Sequence, residues 1–435
     1  MTHKGMIEFQ QLIKFKQMKK LFLFLIVAGT FVSCERKYSE TITYQVNEPV
    51  YMTAEAFRSS VAVTDEKHAV TGGGKICFYD GYLYISESGT GIHIIDNRNP
   101  SYPYAVGFIK LLGNADLAIR NNLLYADAFA NLAWFDISNP AKPQLKGILE
   151  NVFPEILPPV DNNFGYDYEE VHSPEAKSKG MIVGWKLTKK TKEIERRHYY
   201  DDGLRQELYD GAPKSSNGIN GSMSRFGLYK DYLYAVINGQ MSIFDLSGET
   251  PSKAIENMYI QWNVETIFSY KDNLFFGTPN GLLIYSVADP LAPKYCSFIG
   301  HVYGCDPVVV ENNLAYVTVR AGNACGQNNN LLFVVDVRNV YSPYEIASYA
   351  MTNPKGLGID KGTLFLCDDG LKIFKADNPQ TIIANQLAHY KGMDGFDVIP
   401  FDNVLMMIAE DGLYQYDYSD LRNITELGVL RFQNK

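Results

Sequence analysis

The sequence predicts an all-β fold, a single β-propeller of four-stranded blades, with eight blades favoured (one of them interrupted) and seven the alternative. Three observations carry this. A turn-and-strand signature recurs about every forty residues, the period of propeller blades. Each copy has room for four short strands, and no helical periodicity separates the copies. The 30 Tyr, 24 Phe and 35 Gly among 435 residues favour strands and tight turns.

The signature is a turn pair, one variable residue, an apolar anchor and a further apolar residue, as in Asp80-Gly81-Tyr82-Leu83-Tyr84 and Arg120-Asn121-Asn122-Leu123-Leu124. It returns at Leu233, Leu274, Leu314, Leu364 and Leu405, so the anchor spacings are 40, 110, 41, 40, 50 and 41. The long gap points to a hidden copy. Asp161-Asn162-Asn163-Phe164 lies 41 residues after Leu123 and is read as the turn of a damaged eighth repeat, with Glu155-Ile156-Leu157 as its first strand. A second apolar strand follows each anchor and often closes with Asp, then Pro, as in Ile94-Ile95-Asp96 with Pro100 and Trp134-Phe135-Asp136 with Pro140. Ser286 and Lys375 hold the Asp place in two copies, so this Asp is read as a turn former that bonds nearby backbone amides. One blade leaves an apolar face uncovered, which is why copies must stack and close into a ring. Residues 74–435 form this domain.

Ahead of it, Lys19 and Lys20 precede an apolar run from Leu21 to Val32, too short to span a bilayer and suited to a secretory signal. Residues 1–33 are the expected signal segment, with Met18 as the true start, and residues 34–73 a tether. Cleavage would leave 35 basic and 48 acidic residues, a net charge of −13 against −9 for the whole chain. No basic run breaks that balance, so nucleic acid is not an expected partner. The His and Cys residues lack ligand spacing, and neither a metal nor a cofactor is expected.

The Trp134-Phe135-Asp136-Ile137-Ser138-Asn139-Pro140 stretch, with Val334-Val335-Asp336-Val337, resembles the LVIVD-repeat proteins, envelope β-propellers common among Bacteroidetes lipoproteins. Phe31-Val32-Ser33-Cys34 resembles a lipobox, which implies a lipid anchor on Cys34 and attachment to a bacterial membrane, the outer membrane being expected. The repeat is made of core and turn residues, so the resemblance implies a fold and supplies no catalytic residue.

Function must then sit in what departs from the repeat. With strands named A to D from the axis outwards, the B-to-C loops and D-to-A connections share one face. Residues 320–330 swell one B-to-C loop, residues 166–180 swell the same loop of the damaged repeat, and residues 201–224 lengthen a D-to-A connection. Loops on a rigid scaffold tend to carry binding. Acidic residues recur where A strands begin, namely Asp116, Glu155, Glu265, Asp306 and Asp397, with Asn114, Trp262, Tyr303, Asn353 and Lys391 just before them. The candidate ligand-binding set is Asp116, Glu155, Trp262, Glu265, Tyr303, Asp306, Lys391 and Asp397. Carboxylates with aromatics at a channel mouth suit a carbohydrate, an amine, a cation or a basic peptide. An equal alternative is that the carboxylates bond exposed amides at the strand starts.

The leading expectation is a non-catalytic binding propeller. A carbohydrate-active hydrolase or lyase using two of these carboxylates is the second reading, and a structural subunit of an envelope complex the third. Phosphate-loop, serine-elbow and zinc-protease signatures do not occur. Cys305 opens an A strand and Cys325 lies in the B-to-C loop of the same blade, so the two are a candidate disulfide. Cys77, Cys296 and Cys367 fall in strands and read as buried thiols. Changing Cys34→Ala should leave the protein unacylated and free of membranes. Mass spectrometry of mature protein from its host checks this, and a mature N-terminus elsewhere would contradict it.

Overall fold

The computed structural model of the protein describes residues 38–64, 68–161, 163–196, 224–261, 264–300, 307–321 and 329–433. Seven antiparallel sheets, six of four strands and one of four with an added fifth, stand side by side. Their A strands are Ile76–Tyr79, Leu117–Arg120, Phe226–Tyr229, Thr266–Tyr270, Val308–Glu311, Leu357–Asp360 and Gly395–Phe401. Each A strand packs against the next, and the seventh returns to the first, so the ring is closed.

Local chemistry builds each blade. The A-to-B turns put non-glycine residues in the left-handed region: Asp80 before Gly81, Asn121 with Asn122, Lys230, Lys271, Asn312 with Asn313, Lys361 before Gly362, and Asp402 with Asn403. Two such residues in succession match the right-handed twist of the strands they join, which is why Asn, Asp and Gly dominate here. At the C-to-D turn the strand-ending carboxylate accepts from the amide two residues on. Asp96 takes Arg98 N at 3.1 Å, Asp136 takes Ser138 N at 2.9 Å, Asp245 takes Ser247 N at 2.8 Å, Asp336 takes Arg338 N at 3.0 Å and Asp417 takes Ser419 N at 2.8 Å. Ser286 Oγ serves the same amide in blade 4, at 3.4 Å. Every C-to-D pairing also carries a register shift, and such bulges increase strand twist towards the rim.

Strands B and C are apolar on both faces and almost wholly buried, because both faces of a blade meet a neighbour. The seam between blades 7 and 1 is made without exchanging a strand. Ile76, Leu83, Ile85 and Ile95 of blade 1 pack with Phe396, Met406, Ile408 and Leu413 of blade 7. Within that seam the buried amides of Asn97 and Gln415 bond reciprocally, Asn97 Nδ2 to Gln415 Oε1 at 2.9 Å and Gln415 Nε2 to Asn97 Oδ1 at 2.6 Å.

The ring has seven blades, the alternative count, and not the favoured eight. The expected first strand of the damaged repeat, Glu155-Ile156-Leu157, is not a strand. Pro154, Pro158 and Pro159 crowd this stretch and remove the donors that a strand would need. Phe164 anchors no hairpin; its carbonyl and that of Asp161 accept from Asn47 Nδ2 at 2.7 and 3.1 Å. Residues 151–196 form coil, two short helices at Tyr168–His172 and Pro174–Lys179, and a long strand, Met181–Arg196, paired with Tyr38–Met52 in a two-stranded ribbon. Residues ahead of the first repeat are also built in. A helix at Ala54–Ser60 leads to Ala62–Thr64, which adds a fifth strand to the outer edge of blade 1. By their contacts the described residues divide into two compact units, 38–46 with 187–196 and 47–186 with 224–433, and the propeller lies in the second. No helix among the described residues is long and apolar enough to cross a membrane.

Two outcomes follow from these contacts. Gln415→Leu strands the Asn97 amide in the seam and should cost about 1–3 kcal/mol in denaturant melts, and Asn97→Leu with Gln415→Leu should recover part of that loss. The turn carboxylates are all held below the ordinary Asp range, Asp96 and Asp336 chiefly by the Arg98 and Arg338 guanidiniums, Asp136 by the Ser138 amide, and Asp245 and Asp417 by the Ser247 and Ser419 side chains. A depressed folded-state pKa stabilises fully above the unfolded value and loses its effect as pH falls through the folded one. Thermal stability should therefore fall below about pH 4, and Asp136→Asn, which keeps the turn and removes the titration, should shallow that fall.

Candidate functional site

The residue before strand A is charged in most blades: Lys75, Asp116, Arg225 and Glu265 in blades 1 to 4 and Asp394 in blade 7, with Lys355 two positions ahead of strand A in blade 6. These residues gather at the channel mouth on the face of the B-to-C turns, and most are consumed by one another.

Asp116 is 0% exposed. Its Oδ1 accepts Leu117 N at 2.7 Å and faces Lys75 Nζ at 3.5 Å, and its Oδ2 accepts Arg225 N. Asp127, in strand B of the same blade, accepts Ala115 N at 2.7 Å and Asp116 N at 2.8 Å through Oδ1, and pairs with the Arg225 guanidinium at 2.5 Å through Oδ2. Burial pushes the Asp127 carboxyl upwards, and the Arg225 charge and the two amides pull against it. Asn114, also buried, donates to the Asp116 and Asp127 carbonyls at 3.0 and 3.2 Å. Blades 1, 2 and 3 are thus tied by one chain of charges.

A second group spans blades 5 to 7. Lys355 is buried, pairs with Asp394 at 2.5 Å, stands 4.5 Å over the Phe396 ring, and accepts from Thr318 Oγ1 through its carbonyl at 2.7 Å. The buried Asp368 accepts Thr352 N at 3.0 Å, Asn353 N at 2.5 Å and Lys372 Nζ at 2.6 Å. Asp397, also buried, accepts Val398 N at 2.8 Å.

The structure separates the residues that the sequence grouped. Asp116 and Asp397 lie at the mouth with backbone amides on their carboxylates. Glu265 is half-buried and donates its backbone N to Gly277 O at 2.9 Å. The Lys391 side chain is 66% exposed and pairs with Asp369 at 3.3 Å, beside His389, whose Nε2 lies 2.8 Å from Asp369 O. The Glu155 side chain, 51% exposed, stands off the repeats, 3.9 Å from His172. Trp262, Tyr303 and Asp306 lie outside the described residues, as do Cys34 and both Cys305 and Cys325. Cys77 is half-buried, Cys296 and Cys367 are buried, and all three are free, with the Cys77 thiol pushed up to about 11 mainly by burial. His93 is wholly buried with Nε2 2.6 Å from Glu87 Oε2, and burial lowers its pKa. The cationic members, Lys75, Arg225 and Lys355, were missed. A signal for two of them existed: Lys75 and Arg225 stand eight residues before Leu83 and Leu233, the register that Asp397 holds before Leu405.

The insertion after blade 2 is folded over this face. Phe153 packs on Phe226 and Phe244 at 6.1 and 5.5 Å between ring centres, and the Glu155 carbonyl accepts from Asn238, in the B-to-C turn of blade 3, at 3.3 Å. Further along, Trp185 stacks on Tyr166 at 5.0 Å and donates to Pro158 O at 2.8 Å. The face therefore offers exposed Glu155, Lys391, Asp369 and Asp394 around a mouth whose inner charges are already paired. Among the described residues no group of His, Cys, Asp and Glu could hold a metal ion.

Residues 74–109 and 113–150, which are blades 1 and 2, match the LVIVD repeat model. The chain carries LVIVD repeats. One solved structure agrees with the fold: Saccharomyces cerevisiae Sqt1 superposes with a TM-score of 0.50 at 7% identity, over 89% of each chain. A functionally unknown protein from Desulfotomaculum acetoxidans gives 0.49 at 10% identity, over 82% of this chain and all of that one. The computationally designed Ika8 gives 0.48 at 9% identity, over 85% of this chain and 90% of its own. No curated protein matches the chain.

Arg225→Met should leave the Asp127 charge buried without its partner and cost about 3 kcal/mol or more of stability. Combining it with Asp127→Asn should restore much of that loss in urea melts.

Proposed function

We propose that this protein is a non-catalytic propeller of the cell envelope, tethered through a lipid on Cys34, that binds a ligand or protein partner on the face of its B-to-C turns. The observation that carries the reading is the concentration of departures from the repeat on that one face. The described part of the insertion, residues 151–186, bonds the blade 3 B-to-C turn there, and strands B and C of blade 5, Leu314–Val319 and Leu331–Asp336, are joined by the longest B-to-C connection of the seven blades. Among the described residues the opposite face holds two-residue A-to-B turns and C-to-D turns largely spent on turn geometry, the longest being residues 376–385 of blade 6 with a 3-10 turn at Ile383–Asn385.

The same geometry favours binding over chemistry. Of the strand-start carboxylates that a hydrolase would need open to substrate, Asp116 and Asp397 are buried against amides and Glu155 stands off the repeats. The exposed groups of the face, Glu155, Lys391, Asp369 and Asp394, have mixed sign and suit a polar surface that meets another polar surface.

The test is site-specific photo-crosslinking in host cells. Probes replacing Glu155 or Lys391 should yield a discrete adduct, and probes replacing Tyr102 or Tyr341 on the opposite face should not. Adducts from the C-to-D turns alone, or equal adducts from both faces, would overturn the reading.

A further inference from the structure

In blades 1 to 6 the residue that ends strand A makes a polar contact to the next blade. Tyr79 Oη donates to Asn122 Oδ1 at 2.9 Å, Arg120 pairs with Asp231, and Tyr229 Oη bonds Asp272. Tyr270 Oη accepts from Asn313 N at 3.2 Å, Glu311 accepts from Lys361 N and Gly362 N at 2.9 and 2.7 Å, and Asp360 Oδ2 accepts from Tyr418 Oη at 2.9 Å. Blade 7 ends its A strand in Phe401, whose side chain has no polar atom to offer. The seam between blades 7 and 1 therefore lacks this latch. In its place is a groove of 390 Å³, walled by Ile76, Phe78, Ile399 and Phe401 and rimmed by Asp80. Phe78 and Phe401 stand 5.0 Å apart between ring centres, and Phe401 is 54% exposed. Asp80 is exposed too and pairs with no cation among the described residues.

The repeat itself shows what a ring at this place attracts. Tyr229 and Tyr270 hold the Phe401 position in blades 3 and 4, and each is followed by a lysine whose ammonium lies over the ring, Lys230 at 4.8 Å and Lys271 at 5.1 Å from its centre. A cation over an aromatic face is drawn there by the ring quadrupole. After Phe401 the same turn position holds Asp402, and after Tyr79 it holds Asp80, both in the left-handed conformation that Lys230 and Lys271 share. At this seam, then, carboxylates stand beside an open ring where blades 3 and 4 supply an ammonium of their own.

We infer that the groove binds a small organic amine, its ammonium held between Asp80 and the Phe401 ring and its apolar body lying against Ile76, Phe78 and Ile399. Such a ligand supplies both missing contacts at once, the cation over the ring and the polar link between blades 7 and 1. A groove of 390 Å³ stands at the small end of ligand pockets, which suits a free amine and leaves no room for a peptide segment. The site lies at the A-to-B turns, on the face opposite to the binding face already proposed, and does not depend on that reading.

The experiment titrates the full chain with phenethylamine, followed by saturation-transfer NMR, with phenethyl alcohol as the neutral isostere. The amine should saturate with a Kd on the order of 1 mM or below, and the alcohol should bind about tenfold more weakly or worse. Asp80→Asn keeps a residue that tolerates the turn, as Asn121 does in blade 2, and should weaken amine binding about tenfold or more with an unchanged melt. Asp402→Lys gives blade 7 the lysine that blades 3 and 4 carry and should abolish the binding. Bound amine should slow amide exchange in residues 76–81 and 399–403 and leave residues 226–231 as they were. No saturation by about 10 mM amine, equal binding of amine and alcohol, or binding indifferent to both substitutions would overturn the inference.

Discussion

The structure depends on the need to cover both faces of every blade. A sheet whose B and C strands are apolar on each side cannot stop at the end of the chain, and the ring is the arrangement that leaves no blade face open to water. Blade 1 is complete from its own residues and blade 7 from its own, so no strand crosses the seam between them. Closure falls on side chains, on the isoleucine-rich cluster and on the reciprocal Asn97 and Gln415 amides. Backbone fit contributes as well: a Cβ at Gly428 of blade 7 would stand 2.6 Å from Ser101 O of blade 1, so the last strand lies against the first blade's C-to-D turn only because that position has no side chain. Past the other end of that strand, Gln433 N donates to Val70 O, ahead of the first blade's A strand, at 2.9 Å.

That constraint explains how charge is used. The A strands start at a narrow mouth where burial is unavoidable, and a lone buried carboxylate is costly. Asp116 and Asp127 are tolerated because Lys75, Arg225 and several amides surround them. Buried pairs of this kind add little net stability, but removing one partner is severe. Their geometry, which admits one neighbour on each side, suits a role in keeping blades 1, 2 and 3 in order. The charge exposed to an outside partner lies farther out, on Glu155, on the Lys391–Asp369 pair and on Asp394, whose other face holds Lys355.

Much of this was legible in the sequence, because the repeat is written in residues whose local chemistry is decisive. The left-handed turns at Asn121, Asn312 and Asp402 and the carboxylate-capped turns at Asp136 and Asp336 act within a few residues, so spacing alone exposed the blades. The count was misread for the same reason. Asp161-Asn162-Asn163 has the turn chemistry of a repeat, but Pro154, Pro158 and Pro159 deny it a first strand, and composition around a motif outweighed the motif. Mouth residues were half legible. Acidic positions stood out, but which carboxylate meets which cation depends on contacts between blades over a hundred residues apart, as with Arg225 and Asp116, and no local pattern encodes that. The ribbon was invisible because its strands are far apart in the chain and neither belongs to the repeat.

The claim on which the account rests is that seven blades close into one cooperative ring through a side-chain seam. Native-state hydrogen exchange, followed strand by strand, tests it most directly. The account predicts that the B and C strands of blades 1 and 7 exchange with the slowest class, at the same free energy as those of blades 3 to 5. Exchange of residues 404–417 through a separate, lower-energy opening, with the other blades still protected, would contradict it.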